Sequence, residues 1–492
     1  MHHLIVSLLF LFVLCGVIQS EPIKLHPDNP HYSLFRGKPI VLITSAEHYG
    51  AVINLDFDYI SYLNTLQKDG LNYTRIFVGS YIEKSGAFGI EKNTLAPAMN
   101  RVSLPWARSD TPGYANGGNK FNLDRWNPAY FKRLKEFIFE ADERDIIVEV
   151  TLFSSVYSDE NWAINPLNVI NNVNGTDAVD RMKLHTLDNG NLLKYQEKLV
   201  RKIVAELNNH ENFFFEIQNE PYGDLKQAAG VMNEYLGEYE MKQPWMFWKN
   251  RIDLATKASL EWQKVVASYI VDEESNLKNR HLIAQNFCNF RYPLKDIDPN
   301  VSLLNFHYAS PEAVTLNYGF DRVISFDESG FAGNLDDTYR KQAWRFILAG
   351  GGIFNNLDYS FTVDREDGTD TNDAPGGGSP TLRGQLRVLK DFIHSFDFVK
   401  MRPNNMVIKR APGAFVRALA EEGKQYAIYL NGGEQCDLVV ELPTGKYQAQ
   451  WMNTIDGKIE KKEQFAHTGG TRILSSPIYE GDTALRIVSV QE

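Results

Sequence analysis

The sequence predicts an α/β fold: a closed parallel (β/α)8 barrel over residues 21–398, followed by a small C-terminal antiparallel β-sandwich over residues 399–492. Three observations carry this. Eight short β-branched or aromatic runs recur before Phe398, amphipathic stretches with helical spacing separate them, and eight such alternations close a parallel barrel. Past Phe398 the helical spacing stops, and short alternating strands follow one another across Gly, Pro or Asn, the pattern of a small sandwich.

Taken in order, residues 1–20 contain no Lys, Arg, Asp or Glu. The apolar run 4–18 is shorter than the ~20 residues that span a bilayer, and Ser20 is small. This reads as a signal peptide, cut before Glu21, of a secreted or periplasmic protein without an integral membrane span. Cys15 raises a lipid anchor, but Leu14 stands where the attachment motif takes Gly or Ala. The rest is 43% hydrophobic and 23% charged over the whole chain, a globular composition. A net charge of −11 disfavours nucleic acid as a partner. Cys288 and Cys436 lack metal-ligand spacing to another Cys or a His.

Residues 24–38 lead in as a hairpin through Gly37-Lys38-Pro39. The barrel strands are then read at 39–47, 71–78, 145–153, 213–220, 281–287, 301–308, 323–328 and 351–359. Asn127-Pro128 caps one intervening helix, with Phe131, Leu134, Ile138 and Ala141 on its apolar face; Ser379-Pro380 repeats the device before Leu382, Leu386, Leu389 and Ile393. An open doubly wound sheet would need a Gly-rich turn after its first strand, where this chain has Thr44-Ser45-Ala46-Glu47-His48. Two long connections, 79–124 with Trp106 and Tyr114 and 222–250 with Trp245 and Trp248, should wall a cleft at the carboxyl ends of the strands; their aromatic residues either stack on a ligand or pack the loops. The sandwich strands are read at 405–410, 414–420, 425–431, 437–443, 446–453 and 484–490, a domain fixed to the barrel by packing.

The run 213–220, FFFEIQNE, is the centre of the chain. Period-2 geometry puts Phe213, Phe215 and Ile217 on one face and Glu216, Gln218 and Glu220 on the other, and Pro221 stops the strand just after Glu220. Barrel chemistry sits at that end. Glu328 closes the seventh strand in the same way, and Gly330 lets the chain turn. Two carboxyls across one mouth are what acetal hydrolysis requires: one gives a proton to the leaving oxygen and the other acts on the opposite side of the ring.

With these residues in place the chain resembles the clan A glycoside hydrolases, retaining (β/α)8 TIM-barrel enzymes that include the cellulase-type family 5. The resemblance implies a secreted hydrolase of β-glycosidic bonds in an oligo- or polysaccharide. It makes Glu220, after Asn219, the acid/base and Glu328 the nucleophile, with no cofactor or metal ion required. It further implies that Arg75 keeps the nucleophile ionised, that Asn219 holds the sugar 2-hydroxyl, and that His307 and Tyr308 face the substrate. Strand parity sets Asn219 opposite Glu220, so both reach the site only if the strand end is bulged or strongly twisted. Tyr308 faces it only from beyond its strand.

The eighth strand departs from family 5, which ends it in a Trp. Here Asp358 and Tyr359 stand there as candidate sugar-binding groups, followed by Asp364, Glu366 and Asp367. The first strand ends in Glu47 and His48, a candidate third carboxylate and its neighbour. Acceptors clustered in this way suggest cleavage at chain ends or of short oligosaccharides. No Gly-x-Ser-x-Gly elbow or His-Glu-x-x-His helix occurs. The alternative from another class is a secreted carbohydrate-binding protein on a barrel without catalysis, against which the intact Glu220 and Glu328 argue.

Overall fold

A computed structural model of the chain describes residues 21–46, 49–231, 251–371 and 376–490. Its barrel strands are Leu42–Ser45, Tyr73–Phe77, Ile147–Ser154, Phe213–Asn219, Ile283–Asn289, Leu303–His307, Val323–Ser329 and Ile353–Asn356. Parallel ladders join neighbours from the second strand round to the eighth, and the eighth to the first. Side chains bridge the remaining seam. The Asn72 amide accepts from Ile43 N and donates to Val41 O, each at 2.9 Å, and Thr74 Oγ1 donates to the Ala46 carbonyl at 2.8 Å.

Period-2 alternation builds the lumen in layers. One residue from every strand, Leu42, Tyr73, Ile147, Phe214, Ala284, Leu303, Val323 and Ile353, joins Ile23 and Phe35 in an apolar floor. Two residues further along each strand the side chains are polar and buried: Thr44, Arg75, Glu149, Glu216, Asn286, Asn305, Ser325 and Asn355. A charged layer on an apolar floor costs desolvation unless its members pair with one another. The outward set, including Phe213, Phe215 and Ile217, packs in the main core together with the helices.

The helix caps follow the sequence: Asn127 Oδ1 accepts from Ala129 N ahead of Pro128–Asp142, and Ser379 Oγ accepts from Leu382 N ahead of Pro380–His394. Three expectations need correction. The first barrel strand begins at Leu42, because Lys38–Ile40 pairs back on Ser33–Phe35 through a turn at Arg36 and Gly37, both with positive φ. Trp106 and Tyr114 do not face a cleft: both are buried in the main core, and the Tyr114 hydroxyl is tied to the Ile164 carbonyl. The connection between the fifth and sixth strands contains no helix. Trp245 and Trp248 lie outside the described residues.

The C-terminal sheet is antiparallel, with a core of its own around Trp451, Tyr426 and Leu438. The runs read as two strands at 437–443 and 446–453 are one, Asp437–Met452, which passes through Pro443-Thr444-Gly445. Its partner Ile459–Ser475 has no sequence signal, since this hairpin arm exposes or half-exposes nearly every residue and needs no apolar face. The domain is fixed to the barrel by Trp344 stacked on Tyr429, with centroids 5.3 Å apart, and by buried Arg340, whose Nη2 lies 2.8 Å from Asp482 Oδ1. Asp482 also accepts from Tyr429 and Thr454. Asp482→Ala leaves the guanidinium half-paired in a dry interface and should lower unfolding free energy by ~3–5 kcal/mol. Denaturant titration checks this, and a loss under ~1 kcal/mol would show the pair to be as weak as a surface bridge.

Candidate active site

Three chain segments leave their strands through residues in the left-handed region. Glu220 follows its strand at φ 46, Phe290 at 57 and Tyr308 at 52. Such a conformation is uncommon for residues with a Cβ and costs on the order of 1–2 kcal/mol each. At Glu220 it resolves the parity conflict. The chain turns back on itself before Pro221, so Asn219 and Glu220 both face the lumen. Further down, Glu216 and Asn219 both reach Arg75 although three residues separate them. Gln218, expected on the lumen face, instead meets Ser259 of the helix Lys257–Glu274.

The seventh strand uses a bulge. Asn305 pairs with Ser325 but His307 pairs with Glu328, one residue more on the seventh strand. Asp327 and Glu328 consequently both point inward, which the sequence pattern does not indicate. Tyr308, past the end of its strand, donates to Glu328 Oε1 at 2.8 Å. Gly330 supplies the turn after Glu328 at φ 147; a Cβ there would meet Leu357 at 2.7 Å.

These turns assemble Arg75, Asn219, Glu220, His307, Tyr308 and Glu328 in one constellation. Arg75 Nη1 lies 3.2 Å from Glu328 Oε2 and 2.6 Å from the Tyr49 hydroxyl, which also bonds Glu328. Its Nη2 donates to Glu216 at 2.5 Å and to Asn219 Oδ1 at 2.8 Å. Glu220 accepts from the Tyr157 hydroxyl at 2.7 Å and from Tyr222 at 3.3 Å. His307 donates from Nδ1 to Glu220 Oε1 at 3.1 Å and from Nε2 to Asp327 Oδ2 at 3.3 Å. Oxygen atoms of Glu220 and Glu328 and a nitrogen of His307 all lie within 4.8 Å of one another.

The electrostatics separate these groups. Burial opposes ionisation of Glu328, but the His307 charge, its hydrogen bond, Arg75 and Tyr308 outweigh burial and hold the carboxyl below its ordinary value. Burial likewise opposes protonation of His307, yet Glu328 and Asp327 keep its proton well above the usual histidine range. Beneath them burial raises Glu216, despite Arg75, and raises Glu149 with help from the charges of Glu216 and Asp327. Among the described residues two sets have spacing that could hold a cation, Glu216–His307–Asp327 and Glu220–His307–Glu328. The Arg75 guanidinium already touches both, so a side-chain cation fills that electrostatic role.

Above the pair opens a cavity lined among others by Tyr49, Tyr81, Glu83, Phe88, Tyr157 and Phe331. Asp358 and Tyr359 also line it. The Asp358 carboxylate is already engaged by Ser45, Ser360 and Arg383. Glu47 and His48 lie outside the described residues. The sequence reading missed Tyr49, Glu83, Tyr157, Tyr222 and Asp327. Of these, Asp327 alone had a signal, its place beside Glu328.

No family model matches the chain, and no curated protein matches it in sequence. Solved structures do match. A glycoside hydrolase family 5 protein from Bacteroides vulgatus superposes with TM-score 0.58 at 13% identity, covering 96% of this chain and 95% of that one. A second structure, described as a glycoside hydrolase, gives TM-score 0.59 at 13% identity over 96% and 98%. The chain shares their fold. That includes both parts, the (β/α)8 barrel and the appended β-sandwich, since the alignments run nearly end to end.

Proposed function

We propose that the protein is a secreted retaining glycoside hydrolase that cleaves β-glycosidic bonds of an oligo- or polysaccharide by double displacement. The observation that carries this reading is the facing pair: one carboxyl oxygen of Glu220 and one of Glu328 lie within 4.8 Å of each other, close enough for both groups to act at one glycosidic bond. The fold shared with glycoside hydrolases supports it.

In the first step Glu220 gives its proton to the glycosidic oxygen. The bond from that oxygen to the anomeric carbon breaks, and a Glu328 oxygen bonds to the carbon. In the second step Glu220 takes a proton from water as the water oxygen displaces Glu328, which leaves as carboxylate. The groups around Glu328 suit both its attack and its departure, because Arg75, Tyr49, Tyr308 and protonated His307 stabilise its negative charge. Asn219, oriented by Arg75 and Tyr157, is placed to bind the 2-hydroxyl.

Reducing-sugar release from a panel of neutral and acidic glycans tests this, with Glu328→Ala and Glu220→Ala beside wild type. Cleavage of one glycan by wild type and by neither variant is expected. Binding without cleavage by wild type would instead favour the carbohydrate-binding reading.

The pH profile of kcat/KM should be bell-shaped. Glu328 must be ionised, and its value is depressed, so the acid limb should lie below the ordinary carboxylate range of about 4.3. Initial rates from pH 3 to 9 check this, and a flat profile through the acid range would count against the pair.

A further inference from the structure

The cavity over Glu220 and Glu328 has a wall built by two loops from neighbouring parts of the barrel. The segment after the second strand supplies Tyr81, Glu83, Phe88, Lys92, Asn93, Thr94 and Leu95; the segment after the eighth supplies Asp358, Tyr359, Phe361 and Thr362. They meet where Lys92 Nζ lies 2.8 Å from Asp370 Oδ2, an atom that also accepts from Thr362 Oγ1 at 2.5 Å. A surface ion pair alone would hold this weakly, but the first loop is anchored along its length. Glu83 N bonds Leu95 O, Lys84 N bonds the Asn161 side chain, and Gly50 packs so closely on Thr94 that a Cβ there would fall 2.1 Å from its carbonyl oxygen.

Glu83 stands in this wall, buried, with 6% of its surface exposed. Its carboxyl is held at both oxygens by neutral donors, the Tyr81 hydroxyl at 2.9 Å and the Asn93 amide. In this it differs from three other acids of the cavity. Glu220 meets His307, Glu328 meets Arg75, and Asp358 meets Arg383. Burial pushes Glu83 up to about 7, with the Glu328 charge adding to it. A carboxyl fixed in orientation, without a cation beside it among the described residues and bordering a cavity, has lone pairs left for a ligand's donors. The hydroxyls of a neutral sugar ring supply such donors. A carboxylated or sulfated ring does not suit them, since Glu83, Glu91, Glu220, Glu328 and Asp358 face Lys92 as the basic group among the described lining residues.

We propose that Glu83 is a substrate-binding residue that grips the hydroxyls of a terminal, uncharged sugar ring against a closed end of the cavity, so that the enzyme cuts at chain ends. This rests on the hydrolase reading and deepens it. A blocked side admits one end of a glycan and excludes its interior, and a buried acceptor at the block gives the last ring a partner that an internal ring cannot reach.

The test uses the full chain and a ladder of reducing-end-labelled neutral oligosaccharides from the glycan cut in the panel. Wild type should release units of one fixed size from one end, which the label identifies, with kcat/KM nearly independent of chain length. Above pH 7, where Glu83 is ionised, Glu83→Gln should raise KM about tenfold or more, as for a lost hydrogen bond to a charged group, with a smaller change in kcat. Asn93→Ala loosens the same carboxyl without removing it and should fall between the two; it gives a reading even if Glu83→Gln fails to fold. Random internal cutting by wild type that Glu328→Ala abolishes would overturn the chain-end inference and leave the hydrolase reading standing. So would end-wise cutting with KM unchanged in both wall variants, as regards Glu83. Absence of cleavage across the panel would overturn both.

Discussion

Glu328→Ala should lower kcat/KM by at least about 10³-fold, because the variant lacks the carboxylate that forms the covalent bond to the anomeric carbon. Glu220→Ala should cost about 10²- to 10⁴-fold. The second loss should shrink on an aryl glycoside whose leaving group departs without a proton, whereas the first should not. Azide separates the roles further. In Glu328→Ala it can occupy the space left by the carboxyl and attack once, giving a glycosyl azide of inverted configuration. In Glu220→Ala the glycosyl-enzyme still forms, so azide attacks second and the product retains its configuration. Proton NMR of the azide products reads this directly. Retained product from Glu328→Ala, or near wild-type rates in both variants, would sink the assignment of roles.

That Glu220 and Glu328 could be expected at strand ends bordering one cavity follows from where the chain places its signals. A run as apolar as Phe213-Phe214-Phe215 that ends in Asn219-Glu220-Pro221 fixes strand, terminus and acid together. The strand–helix alternation, interrupted between the fifth and sixth strands, is equally plain, because each barrel strand is buried on both faces. What period-2 reasoning could not supply is the set of departures from it. Glu220 and Tyr308 face the site through positive φ, and Asp327 and Glu328 share the lumen through a bulge. Neither leaves a trace in residue type.

The tyrosines were hidden for another reason. Tyr49 lies beyond the first strand and Tyr157 beyond the third, in stretches without periodicity, and their hydroxyls matter only because the fold brings them to Glu328 and Glu220. Glu83 was hidden in the same way, inside a long loop. For Trp106 the sequence left ligand stacking and loop packing open, and the structure gives packing: it fills the core.

Arg75 joins the fold and the site, and its replacement should disturb both. The guanidinium is fully buried and reaches Glu216, Glu149, Asp327 and Glu328. Arg75→Met removes the cation and leaves the carboxyls facing one another in a buried lumen, where an uncompensated buried charge costs ~3–5 kcal/mol. The variant's pH dependence should identify the cause. Glu149 and Glu216 already have folded-state values above their unfolded ones, so their contribution is most favourable at low pH and declines as pH rises towards the folded values. Without Arg75 those values rise further, and folding takes up more protons. The deficit against wild type should therefore be small near pH 5 and larger near pH 8, measured by denaturant titration at each. Activity should fall as well, since Glu328 loses a group that holds it ionised, and its acid limb should move to higher pH. A deficit equal at both pH values would mean that Arg75 acts through packing of its stem, and an unmoved acid limb would mean that His307 and the tyrosines alone set the charge of Glu328.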